Sequence, residues 1–169
     1  MEVLEAIKTR RSIRKFKNVP VEQDKVDELL TAAMYAPSAG NEQPWHFILI
    51  TEEAILSKVP DINSYAAMAK HAPLAVLVCG DLSMEKFPGN WPLDCAAAVQ
   101  NMLLAAHALG LGAVWTGVYP ELDRMKGFKS LLSLPDQVVA HTLVVIGYPD
   151  QKIKQPDRYK AERVHENGW

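Results

Sequence analysis

Apolar positions along this chain change their period several times, and each change marks an element. Residues 2–9 read as a short helix ending in the basic run Arg10-Arg11-Ser12-Ile13-Arg14-Lys15-Phe16, with a turn at Asn18 to Pro20. Over residues 21–35 the apolar positions Val26, Leu29, Leu30, Ala33 and Met34 recur at helical spacing. Pro37 bars continuation by disfavouring the helical conformation at Ala36. A Pro/Gly/Asn-rich loop, residues 37–44, then leads into residues 46–50, a short run of strand-favouring residues. After a polar helical stretch come three more apolar, partly β-branched runs at 74–79, 113–116 and 138–146. These four runs predict four strands of one mostly buried sheet.

Residues 92–109 are unlike a surface helix. Pro92 opens the segment, Gly110 closes it, and apolar residues from Leu93 to Leu109 surround nearly the whole cylinder where one stripe would suffice. Such a helix is expected to be buried on most sides. A chain of 169 residues has little interior in which to hide it, and its many alanines permit close helix approach, so a second subunit is the simplest second partner. After Gly147 the sequence turns polar; the segment reads either as a frayed tail or, through Tyr159, Val164 and Trp169, as one that docks on another surface.

Composition narrows the function classes. Apolar residues at 49% and charged residues at 22% describe a globular protein, and with no repeat or linker visible the expectation is one domain over residues 1–169. A net charge of −2 provides no global field for nucleic acid or an acidic membrane. Cys79 and Cys95 both lie in apolar runs, which suits reduced, inert thiols and a cytoplasmic location. The N-terminus lacks the apolar core of a signal peptide, and no apolar run has the roughly 18 residues of a spanning helix. The five histidines share no ligand-like spacing, so no metal site is expected. No glycine-rich fingerprint opens a βαβ unit, which argues against a dedicated nicotinamide domain.

Three segments carry candidate chemistry. Arg10, Arg11 and Arg14 with Ser12 offer planar multi-donor cations and a hydroxyl suited to a phosphate dianion; the alternative is a solvated basic turn. If the run is extended, Arg10, Ser12 and Arg14 share one face. The loop Pro37-Ser38-Ala39-Gly40-Asn41-Glu42-Gln43-Pro44 reads as a turn, or as a holder of a polar heterocycle through the amides of Asn41 and Gln43. Thr116 and Gly117 end an apolar strand, a common place for ligand sites, and Gly117 lets backbone approach a planar ring.

Taken together and in order, RRSIRKF, PSAGNEQPWHFILI, LGLGAVWTGVYP and GYPDQKIKQPDRYKAERVHENGW resemble the compact nitroreductase family of FMN proteins, across nearly the whole chain. That resemblance implies an α+β, three-layer fold with a mostly antiparallel four-stranded sheet flanked by helices. It also implies a homodimer with FMN at the subunit interface and a tail, residues 148–169, wrapping the partner. By position, Arg10, Arg11, Ser12 and Arg14 correspond to FMN contacts, with Arg14 near the pyrimidine edge, and Arg158 to a late phosphate contact; Lys160 and Arg163 are further candidates. Pro37, Ser38, Ala39, Asn41 and Gln43 correspond to the loop given by the other subunit, and Thr116 and Gly117 to the backbone facing flavin N5. The implied activity is a ping-pong oxidoreductase that takes hydride from NADH or NADPH and reduces a nitroaromatic, quinone or similar acceptor. Because the flavin carries the redox chemistry, no side chain is assigned as an obligatory acid or base. The alternative is a non-turnover protein in which FMN is a structural or sensing ligand.

Overall fold

The four apolar runs pair into one antiparallel sheet in a computed structural model that describes residues 1–169. The strands are β1 (Trp45–Ile50), β2 (Leu74–Asp81), β3 (Gly112–Gly117) and β4 (Val138–Gly147), in the spatial order β1-β2-β4-β3. The central strands β2 and β4 read as nearly unbroken apolar runs because both faces of the sheet are covered. One face, with Val76, Val78, Val144 and Ile146, packs on α2 (Gln23–Met34) and α5 (Trp91–Ala108). The other, with Ala75, Leu77, Leu143 and Val145, meets α4 (Val59–Ile62), the 3-10 turns of Ser64–His71, and α6 (Leu122–Leu132) through Phe128. Helices on both faces make the expected three layers.

The helices differ from expectation in informative places. The polar stretch after β1 breaks into α3 (Glu53–Leu56), α4 and the 3-10 segment, since Pro60 and an irregular Ala66 prevent one continuous helix. The sequence reading does not include α6; its mixed charges give only a narrow apolar side, of which Phe128 alone is fully buried. Within the chain α5 is buried on one side, by Cys95, Ala98, Val99, Met102, Leu103 and Ala106, rather than on most sides. Leu93, at 69% exposure, and half-buried Ala97 and Leu104 leave an apolar strip on the other side that this chain covers only in part. Gly110, at φ 77°, reverses the chain from α5 into β3.

The basic run is extended and is held on both flanks. The Ile13 N–H donates to the Ala113 carbonyl on the free edge of β3, and Phe16 bridges to Pro149 at the start of the tail. From residue 152 onward every side chain of the tail is exposed, including Tyr159, Val164 and Trp169. No helix is long and apolar enough to cross a membrane.

Candidate functional site

Where α1 (Val3–Thr9) ends, the chain straightens at Arg10 and carries its cations along β3. Arg10 and Arg11 both line a cavity of about 370 Å³, together with His107, Ile153 and Lys152. Arg11 also lines a larger, open hollow of about 770 Å³ shared with Arg158, Gln155 and Tyr159. Arg10 and Arg11 therefore border the same cavity although the backbone is already extended at Arg10, with φ −55° and ψ 134°, so alternation does not segregate these two long side chains. Ser12 pairs with Ala113, and Arg14 is exposed, its N–H donating to Gln151.

The electrostatics of this corner are unbalanced. Burial lowers the Arg10 pKa, and the charges of Arg158 and then Arg11 lower it further. Burial followed by Arg10 and Arg11 likewise lowers His107. None of these arginines belongs to an ion pair; the molecule's pairs are Lys25–Glu22, His46–Asp81 and Lys129–Asp136. Arg11 spends one nitrogen on the Arg10 carbonyl at 2.5 Å, while its Nε and Nη2 are buried with no hydrogen-bond partner. A buried, unpartnered guanidinium is costly, and a multi-oxygen anion is the group that would satisfy it. Lys160 and Arg163 do not line either cavity.

The second candidate segment lies elsewhere. Ser38 to Gln43 wraps the first turn of α5: the Ala39 N–H donates to Asp94 at 2.9 Å, and Gln43 N–H to the Ser38 hydroxyl at 3.0 Å. Three of its residues are left-handed, Gly40 at φ 51°, Asn41 at 54° and Gln43 at 49°. For Asn41 and Gln43 this conformation costs roughly 1–2 kcal/mol each, and such strain clusters at functional sites. It leaves Pro37, Asn41 and Gln43 exposed. The arginine corner touches the opposite end of the same helix, where Thr9 Oγ1 meets His107 Nε2 at 2.8 Å. Thirteen helical steps, about 20 Å, separate Asp94 from His107, so one chain does not bring the two segments together.

Thr116 and Gly117 differ in availability. The Thr116 hydroxyl is buried and donates to the Leu143 carbonyl at 2.7 Å, and its backbone lies opposite Leu143 in the β3–β4 ladder. Gly117 faces open space where a Cβ would project, while its carbonyl is fixed by Asn63 at 3.1 Å and Arg124 at 3.0 Å. Beside them Trp91, Trp115 and Tyr119 gather around His141, which is the extra residue of a β-bulge between β2 and β4. Bulges often stand beside functional sites. Burial pushes the His141 pKa down to about 4, so the ring is neutral.

The Nitroreductase family model matches residues 7–76 and 61–148. The chain belongs to the nitroreductase family. A Methanothermobacter thermautotrophicus protein, provisionally named an NADH dehydrogenase/NAD(P)H nitroreductase, is 50% identical over all of this chain and 88% of its own length. A crystal structure of a similarly named Parabacteroides distasonis protein is 42% identical with a TM-score of 0.95, covering 99% of this chain and 98% of that one. A Desulfovibrio desulfuricans structure, described as a nitroreductase in complex with FMN, is 32% identical with a TM-score of 0.86, covering 100% and 98%. In this nitroreductase-family chain, sequence reasoning missed Asn63, Arg124 and the aromatic group around His141. Asn63 and Arg124 reach Gly117 from α4's end and α6, elements whose apolar pattern is too weak to place them. The aromatic group is assembled from three segments, and no local pattern signals it.

Proposed function

We propose that this protein is an NAD(P)H-dependent FMN oxidoreductase that works as a homodimer. The observation that carries the reading is Arg11, whose buried Nε and Nη2 have no partner beside the uncompensated charges of Arg10 and Arg158. A phosphate monoester fits that corner by charge and by donor geometry. When bound, FMN supplies the hydride chemistry. The chain would supply position: Arg10, Arg11 and Arg158 would hold the phosphate, Ser12 and Arg14 would contact the rest of the FMN with Arg14 toward the pyrimidine, and the backbone at Thr116 and Gly117 would serve the flavin. Pro37, Ser38, Ala39, Asn41 and Gln43 come from the second subunit, because their own chain holds them about 20 Å from the arginines along α5. The partly covered strip of α5 and the exposed apolar side of α1, with Val3, Leu4 and Ile7, give the second copy an apolar surface to cover. The tail, residues 148–169, then crosses to that copy with Tyr159, Val164 and Trp169 as its anchors.

Donor and acceptor use one open face in turn, which makes the kinetics ping-pong, and a nitroaromatic or quinone suits an opening bordered by Trp115 and Tyr119. No side chain here is needed to abstract a proton. The testing experiment adds FMN to the purified protein, removes the excess, and records the visible spectrum with sedimentation analysis, then mixes the protein with NADH or NADPH. A yellow dimer bleached by either donor and recoloured by menadione or nitrofurazone is expected. A colourless monomer overturns the reading, and a yellow dimer that stays oxidised under excess donor makes it a flavin-binding protein without turnover.

A further inference from the structure

The candidate loop is fastened by two carboxyl groups, neither of which belongs to an ion pair. Glu42 is 5% exposed and lies inside the loop; one of its oxygens accepts the N–H groups of Lys86 at 2.6 Å and Phe87 at 3.0 Å. Asp94, also 5% exposed, stands in the first turn of α5, and one oxygen accepts the Ala39 N–H. The remaining oxygens, Glu42 Oε1 and Asp94 Oδ2, are both buried and lack any donor; the two carboxyl groups are brought to the same turn, where the Glu42 N–H donates to the Ala39 carbonyl at 2.9 Å and the Ala39 N–H donates to Asp94 at 2.9 Å, and each is the other's side-chain neighbour. Two ionised carboxylates in that arrangement repel, and two acceptors cannot satisfy one another. No third metal-ligating side chain completes a cation site.

We propose that Glu42 and Asp94 share one proton, and that this carboxylic acid–carboxylate bond is a positioning device that holds the cofactor loop in its left-handed conformation. Asp94 carries the proton. Burial raises its pKa, as do the bond and charge of Glu42 and the charge of Glu85, against the lowering by the Ala39 N–H. Glu42 stays ionised: burial acts to raise it, but the N–H groups of Lys86 and Phe87, the bond from Asp94 and the Lys86 charge together lower it. Glu85 itself is occupied by the N–H groups of Gly89 and Trp91, and the Lys86 ammonium reaches the Gly40 carbonyl at 3.4 Å. The bond ties three segments, the loop, residues 86–87 and α5. The ring of Phe87 closes over Gly40, where a Cβ would stand 2.3 Å from it.

Sharing one proton predicts an unusual set of amide variants. In Asp94→Asn the carbonyl still accepts from Ala39 while the amide permanently donates to Glu42, reproducing the protonated state. Glu42→Gln does the same in the other direction. The double variant places two N–H donors face to face and loses the bond. The inference rests on the FMN reading for its functional consequence, so two readouts are taken across pH 5 to 10: thermal midpoint of the FMN-free protein, and FMN affinity by quenching of flavin fluorescence. For wild type both should fall as pH rises through the raised Asp94 pKa, affinity by at most about tenfold per pH unit, the limit for one linked proton. Both single amide variants should flatten that fall, and the double variant should lose more midpoint than the sum of the singles. Parallel pH profiles for wild type and Asp94→Asn, or additive losses, overturn the shared proton. Failure of wild type to bind FMN at neutral pH overturns the FMN reading, while the midpoint series still decides the proton.

Discussion

Gly112 and Ile13 meet so closely that a Cβ on the glycine would stand 2.7 Å from the Cβ of the isoleucine. This contact seats the basic run on the edge of β3, next to the hydrogen bond from Ile13 N–H to the Ala113 carbonyl at 3.0 Å. Gly112→Ala should therefore cost about 1–3 kcal/mol in urea unfolding, the usual range for overpacking. It should also weaken FMN binding, because Arg10, Ser12 and Arg14 are displaced with the strand. Wild-type affinity in a folded Gly112→Ala protein would show that the arginines do not depend on this seat.

Arg11 separates stability from binding. Its buried, unpartnered nitrogens make the guanidinium a burden to the empty protein, so Arg11→Met should leave the thermal midpoint unchanged or raise it. FMN affinity should drop about 10- to 100-fold, the worth of one or two charge-assisted hydrogen bonds. A lower midpoint with unchanged affinity would make Arg11 a packing residue.

His141 sets an acid limit. Its ring is held neutral with a pKa of about 4 against an ordinary 6.5, so the unfolded chain binds the proton more readily than the folded one. Its contribution is complete above about pH 6.5 and is lost as pH falls toward 4, a change of about 3 kcal/mol. Urea titrations at pH 7, 5.5 and 4 should show this loss in wild type and a shallower one in His141→Gln. Equal slopes would assign acid sensitivity elsewhere.

Leu93, 69% exposed on α5, tests the assembly. Leu93→Glu should yield a folded protein that sediments as a monomer and no longer retains FMN. A dimeric, yellow variant would move the interface away from this helix.

Much of the fold was legible because local patterns carried it. The runs at 74–79 and 138–146 became the central strands because β-branched residues fill a two-sided core, those at 46–50 and 113–116 pair on either side of them, and Pro37 and Gly110 stopped helices for steric reasons that act within a few residues. The helix α6 was not legible, since Phe128 is the only fully buried side chain of its eleven residues. The arginine run and the Pro37 to Gln43 loop were visible as chemistry. Nothing local revealed that α5 separates them, nor that Asp94, an ordinary acidic residue of a helix's first turn, faces Glu42.

The sequence by itself determined the four strands, the helices α2 and α5, and where arginines and a polar Pro/Gly/Asn loop are concentrated, because periodicity and residue type act over neighbouring positions. Only the tertiary structure decided what those segments face. Burying Arg11 without a partner, setting Glu42 against Asp94, and placing the loop and the arginines at opposite ends of α5 all depend on contacts between distant parts of the chain. Their energies come from desolvation and charge in the packed interior, which residue order alone does not specify.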